Sequence, residues 1–376
     1  MISTPRTNTS DNHSLTEDGI DSASFHSTIS RVCVLCLLLP IPIFAIIGNV
    51  FIMAAFALFQ CLRTPTNAFI VSLAVADFLV AVLVMPFSLV RSVDRWHFGL
   101  CFCQAHLFLD MTFCTTSIFN LTCVALDRYI AVCDPLHYPV RMSFRRVGAM
   151  LLLCWVLPLV FSALCVSLGM YTQSARTVVT NSTLLETQTC LATFQLPYAF
   201  ATSAISFFIP LGFMLFAYGK ILKAAQRQAR WIHAIDHHTG QLQMNQTSMR
   251  TDPSRQVQAH VERCSLKKKE WRAVKTLGLI MGVILFCWLP FFCVNIIHPL
   301  KGYSLSPLLL EASMWLGYAN SSLNPFLYGL FNKNYGHVFA AMFDWGTLGR
   351  QLRAGLDSST FGRQAHTVVT LETISG

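Results

Sequence analysis

The chain has 376 residues, 54% of them hydrophobic and only 12% charged. A soluble domain carries about 25% charged residues, so this composition excludes an ordinary soluble protein and indicates an integral membrane protein. The net charge of +9 then reads as a topology and membrane-surface signal, not as a nucleic-acid footprint, and no nucleic-acid or nucleotide-phosphate motif is present.

In chain order, residues 1–31 form a polar tail without the apolar run of a cleavable signal peptide. It holds two glycosylation acceptors, Asn8 and Asn12. Five stretches then contain no Asp, Glu, Lys or Arg: 32–62, 147–175, 187–219, 276–300 and 312–332. Two more, 67–90 and 100–132, are interrupted only by Asp77, Asp110, Asp127 and Arg128. Each is long enough for a membrane helix of about 20 residues. The expected fold is an all-α bundle of seven membrane helices over residues 32–345, with the first span as the insertion signal.

Basic residues set the orientation. They cluster after spans one, three and five: Arg63, then Arg141, Arg145 and Arg146, then Lys220, Lys223, Arg227, Lys267, Lys268 and Lys269. Those loops are therefore cytosolic, and the N-terminus lies outside. Asn181, a third acceptor, then falls in an outer loop. Residues 225–268 are polar without an apolar period, which predicts a flexible inner loop. Residues 331–345 space Phe331, Tyr335, Val338, Phe339, Met342 and Phe343 as a short amphipathic eighth helix on the inner surface. A cytosolic tail, 346–376, follows. Of 14 cysteines, Cys103 and Cys190 lie at the oxidising outer face and are expected to bridge, with Cys101 a competing partner.

The third span is the most informative segment. Asp110 stands near its outer end and Asp127-Arg128-Tyr129 near its inner end, roughly 25 Å apart at ~1.5 Å per residue. A charge in a membrane helix costs about 2.5–3.5 kcal/mol, so each needs a reason. One acid facing an outside ligand and one triplet facing an inside partner is the layout of a signal transducer.

Motifs in every span agree: Gly48-Asn49-Val50, Leu73-Ala74-Val75-Ala76-Asp77, Asp127-Arg128-Tyr129, Trp155, Pro210 with Tyr218, Cys287-Trp288-Leu289-Pro290, and Asn324-Pro325-Phe326-Leu327-Tyr328. In this order they resemble the rhodopsin-like G-protein-coupled receptors. Asp110, Trp288 to Phe292 and Trp315 to Tyr318 look like the amine-binding branch. Met85 to Val93, Thr115 to Phe119 and Ala131 to Leu136 most resemble trace-amine-associated receptors, with serotonin and histamine receptors next.

The resemblance implies a plasma-membrane receptor for a small amine that couples to a heterotrimeric G protein. The implied ligand residues are Asp110 for the ammonium, Cys114, and the aromatic faces Trp288, Phe291, Phe292, Trp315 and Tyr318. A cation–π contribution from such faces suits a protonated amine. Thr202, Ser203 and Ser206 either bond a polar ring substituent or bond their own backbone carbonyls. Glu311, two turns before Tyr318, reads either as a second anion for a diamine or as a solvated helix-end charge. Asp77, Ser117, Asn320 and Asn324 match a sodium site, whose oxygen ligands suit a hard cation. Asp127, Arg128 and Tyr129, with Glu270 as the expected ion partner of Arg128, and Pro210, Tyr218, Asn324, Pro325 and Tyr328 are the implied coupling residues.

There are two departures. Ile284 stands where the family usually has Phe, and the additional outer cysteine of many trace-amine receptors is missing. A transporter of organic cations is the rival of a different class, but no internal repeat is visible. No arrangement of an enzyme active site is present.

Overall fold

The computed structural model describes residues 17–94, 96–169, 171–172, 175–180, 183–188, 190, 193–245, 278–331, 335 and 338. Six helices in it are long and apolar enough to cross a membrane: α1 (Thr28–Leu58), α2 (Pro65–Val93), α3 (Gly99–Cys133), α4 (Phe144–Ser167), α5 (Leu196–Arg227) and α6 (Gly278–Leu300). The seventh, α7 (Pro307–Phe331), has 25 residues, about 37 Å at ~1.5 Å per residue. It is less apolar because it buries a polar face of Ser313, Asn320, Ser321, Ser322 and Asn324 against the bundle. These seven helices are the seven expected spans.

The bundle turns apolar side chains outward as well as inward. Leu37 is 74% exposed, Phe286 68% and Phe213 65%. In water such a surface would promote aggregation; in hydrocarbon it is the solvated face. Inside, Ile118, Phe207, Ile284, Cys287 and Trp288 belong to one buried cluster that joins α3, α5 and α6. Ile284 thus fills the position noted as a departure without leaving the core.

Two helices depart from α geometry next to a proline. A π-helical turn, Val80–Val84, precedes Pro86 in α2, and another, Ala204–Phe208, precedes Pro210 in α5. Proline lacks an N–H and crowds the carbonyl four residues back, so the ladder widens just before it. Close helix contacts need glycine at two places. A Cβ on Gly48 would sit 2.7 Å from Pro325, and one on Gly317 would sit 2.8 Å from the Trp288 ring.

The structure differs from the expectations in three places. The helix that becomes α1 starts at Glu17, within the expected tail. The α5 helix continues to Asn245, about 20 residues into the segment expected to be flexible. The stretch 225–245 lacks an apolar period, but it is rich in Ala, Gln and Arg and has no proline, so intrinsic propensity carries the helix. The outer loop before α5 forms strands: β1 (Tyr171–Thr172), β2 (Ala175–Thr180), β3 (Thr183–Gln188) and β4 (Thr193–Phe194). β2 and β3 make an antiparallel hairpin closed at Thr180 and Thr183, and β1 pairs with β4. Thr and Val in Thr177-Val178-Val179-Thr180 favour extended backbone.

Cys103, at the outer end of α3, is bonded to Cys190 with Cα atoms 5.7 Å apart. Cys101 is free and exposed, which settles the competition. Asn8, Asn12, Asn181, the tail 346–376 and most of the expected eighth helix lie outside the described residues. Of that helix, Tyr335 and Val338 are helical and buried.

Candidate ligand site and signalling core

Between α3, α5, α6 and α7 is a cavity with about 70 Å³ in which a water molecule can centre. Its lining includes Asp110, Cys114, Thr202, Ser206, Trp288, Phe291, Phe292 and Tyr318, all expected from the sequence. Asp110 is half-buried on α3. The Tyr318 hydroxyl donates to its Oδ2 at 2.9 Å, and the Cys114 thiol lies 3.3 Å from Oδ1. Among the described residues no basic side chain forms an ion pair with it. A carboxylate held by neutral donors at an apolar cavity is an incomplete charge pair, and it favours a cation.

The aromatic side chains of the wall pack on one another. Phe207 stacks on Phe292 at 4.6 Å, and Trp288 packs edge-on to Phe291 at 6.1 Å. On α5 the three hydroxyls separate. Thr202 donates to the Tyr198 carbonyl at 2.8 Å, so it bonds its own backbone. Ser203 accepts from Asn295 Nδ2 at 3.0 Å and does not line the cavity. Ser206 accepts from Thr115 at 3.2 Å, which leaves its own O–H to donate.

Two other expected ligand residues stand outside the lining. Trp315 donates to Ser92 Oγ at 3.0 Å and packs edge-on against Tyr318. Glu311 faces Arg91 and Ser92. The diamine reading took Glu311 as a second anion at the cavity mouth; Arg91, distant in sequence on α2, stands within electrostatic reach of it, though no ion pair closes between them. The structure adds Thr115, Phe194, Asn295 and Met314 to the wall. Asn295, seven residues beyond Trp288, was legible as a polar residue in an apolar span; the others carry no sequence signal.

Below the cavity, Asp77 is fully buried. Ser117 and Ser321 donate to its Oδ1 at 2.9 and 2.8 Å, and Asn324 donates to Oδ2 at 2.7 Å. Ser321 was not expected there. Asn320, also fully buried, has neither amide atom hydrogen-bonded.

At the inner end, Asp127 is buried and accepts from Thr66 at 2.8 Å, Tyr138 at 2.9 Å and Arg128 Nε at 2.9 Å. Arg128 thus folds back on its own neighbour and also reaches Thr66. Glu270 lies outside the described residues. Tyr129 packs near Phe216 at 6.2 Å. The Tyr218 hydroxyl is 2.6 Å from where a Cβ on Gly278 would stand, so α5 and α6 touch there. Pro325 meets Gly48, Asn324 meets Asp77, and Tyr328 is buried in the main core.

Seven helices, a disulfide-anchored loop, a cavity towards that end of the bundle and a buried charge cluster towards the other define a membrane receptor. The chain matches the 7 transmembrane receptor (rhodopsin family) over residues 48–328 and belongs to that family. It is therefore a multi-pass membrane protein and not an enzyme. It is 37% identical to 5-hydroxytryptamine receptor 4 of Homo sapiens over 331 residues, covering 85% of this chain and 81% of that one. It is also 37% identical to trace amine-associated receptor 4 of Mus musculus over 290 residues, 77% and 78% of the two chains. Octopamine receptor beta-2R of Chilo suppressalis is 35% identical over 339 residues, 85% and 81%.

Proposed function

We propose that this receptor binds a small protonated amine at Asp110 and, when the amine binds, opens its cytosolic face to a heterotrimeric G protein. The observation that carries the reading is the Asp110 carboxylate, held by Tyr318 and Cys114 at the cavity and without a basic partner among the described residues. The ligand ammonium completes the pair, and the faces of Trp288, Phe291 and Phe292 surround its apolar part. The named amines of the similar receptors support the class of ligand. A serotonin-type ligand is the alternative within the class, and Ser206 could take its ring hydroxyl.

The N-terminus is outside and the protein resides in the plasma membrane. Glycosylation falls at Asn8, Asn12 and Asn181. In the resting state Arg128 is held by Asp127 and Thr66, and by Glu270 from the start of the sixth span. Release of Arg128 and outward movement of α6 open the groove. The residues around Asp77 fit a sodium ion: Asp77, Ser117 and Asn320 offer oxygens, and the unpartnered Asn320 amide needs a partner. A bound ion would draw α2, α3 and α7 together.

The test is a cell reporter assay with Asp110→Asn at matched surface expression. The expected result is loss of the amine response by 100-fold or more, about 2.7 kcal/mol. A full response from that variant would overturn the reading.

A further inference from the structure

The Lys and Arg residues of α5 are Lys220, Lys223, Arg227 and Arg230, and all four are exposed. With Ile209, Phe213 and Phe216 they follow one another in steps of three or four residues, so they share one face of the helix. Ile209, Phe213 and Phe216 are exposed and apolar, and in a membrane they face hydrocarbon. Met214, Ala217, Ile221 and Ala225 lie on the far side and are buried against the bundle. The cationic stripe therefore continues the lipid-facing stripe and points away from the other helices. Lys220 Nζ stands 5.4 Å from the centroid of the Phe216 ring, so apolar gives way to cationic within a turn, as at a membrane boundary. Residues 196–230 contain no Asp or Glu, and among the described residues none of these cations forms an ion pair. A row of aligned cations without a counter-charge attracts an external anion.

We propose that this stripe binds the headgroup of a polyphosphorylated inositol lipid in the cytosolic leaflet and so pins the inner extension of α5 to the membrane surface. This rests on the orientation proposed above, which places that end of α5 in the cytosol. Length selects the lipid. From Lys220 to Arg230 the stripe runs about 15 Å along the helix. The polar layer of one leaflet is only roughly 5–8 Å deep. Lys220 and Lys223 therefore reach the ordinary lipid phosphates, whereas Arg227 and Arg230 stand beyond them. A headgroup whose ring phosphates project from the surface meets all four, and each guanidinium can hold a phosphate through two N–H groups. Direction selects a lipid over a protein: a G protein entering the bundle would meet the side of α5 that faces the other helices.

The test titrates the purified full-length receptor in detergent with short-chain phosphatidylinositol bisphosphate or phosphatidylserine and reads lipid-bound species by native mass spectrometry. The inositol lipid is expected to bind about tenfold or more tightly than phosphatidylserine. Each basic residue near a membrane surface is worth about fivefold, so Arg227→Gln with Arg230→Gln should weaken the inositol lipid by about 25-fold and bring it close to phosphatidylserine. Arg227→Lys with Arg230→Lys, which keeps the charge but loses the fork, should fall between. Arg145→Gln with Arg146→Gln, at the inner end of α4, should change binding by less than about twofold. Equal binding of the two lipids to the unmodified receptor would overturn the proposal. So would an unchanged affinity in the α5 Gln variant, or an equal loss in the α4 variant. In phosphatidylcholine nanodiscs, which hold no anionic lipid, amine-stimulated nucleotide exchange on the G protein should be the same with and without the α5 Gln substitutions. A loss there would assign the stripe to the G protein and overturn the lipid. Orientation is read separately, by antibody labelling of an N-terminal tag on intact cells. A tag labelled only after permeabilisation would overturn the cytosolic placement and leave the detergent measurements standing.

Discussion

Asp110 and Glu311 were equally visible in the sequence as acids in or beside apolar spans, yet the structure gives them opposite surroundings. Asp110 is held by neutral donors, whereas Glu311 stands within electrostatic reach of Arg91. The sequence shows where a charge is placed but not which side chain from another helix faces it. The same limit applies to α5, where spacing could not separate Thr202 from Ser206. Their hydrogen bonds now do. Thr202→Val should leave ring-hydroxylated amines unaffected because its hydroxyl already serves the Tyr198 carbonyl. Ser206→Ala should weaken such amines about three- to tenfold, the ~0.5–1.5 kcal/mol of one hydrogen bond, and spare amines without the hydroxyl. Tyr318→Phe removes the O–H that orients Asp110 and should weaken every amine by a similar factor, read as potency at equal expression.

Elements were legible where apolar length decided them and hidden where another force did. All seven spans could be read because hydrocarbon admits little else. The inner extension of α5 and the β2–β3 hairpin could not, since each follows from local propensity without a burial pattern. Helix contacts were also hidden, because a glycine in a span does not announce its neighbour. Gly317 permits α7 to approach Trp288, so Gly317→Ala should overpack that contact and cost about 1–3 kcal/mol. Gly148 in α4 has nothing within 4 Å of its missing Cβ, and Gly148→Ala should stabilise by roughly 0.5–1 kcal/mol. Thermal melting of the purified receptor in one detergent compares the two; equal shifts would mean that the Trp288 contact does not constrain α7.

For the molecule as a whole, the outer and inner ends are held by different means. Outside, the covalent Cys103–Cys190 link anchors the loop beside the cavity. Cys190→Ser should cost about 2–5 kcal/mol and lower the amount of receptor at the cell surface, as measured by antibody labelling of intact cells. Inside, α2, α3 and the short connection after α3 are joined through Asp127 by Thr66, Tyr138 and Arg128. Asp127→Asn should release Arg128 and raise ligand-independent signalling. The polar face of α7 has a consequence for how the receptor is made. Its partners belong to the earliest synthesised spans: Asn49 bonds Ser321 across 272 residues, and Ser322 bonds Ile41 across 281. Until the last span leaves the ribosome, Asn49 and Asp77 must wait in the bilayer without those partners. The chain's two ends thus close the ring of helices late, and a product truncated before Pro307 leaves an open seam of unmet polar groups for quality control to detect.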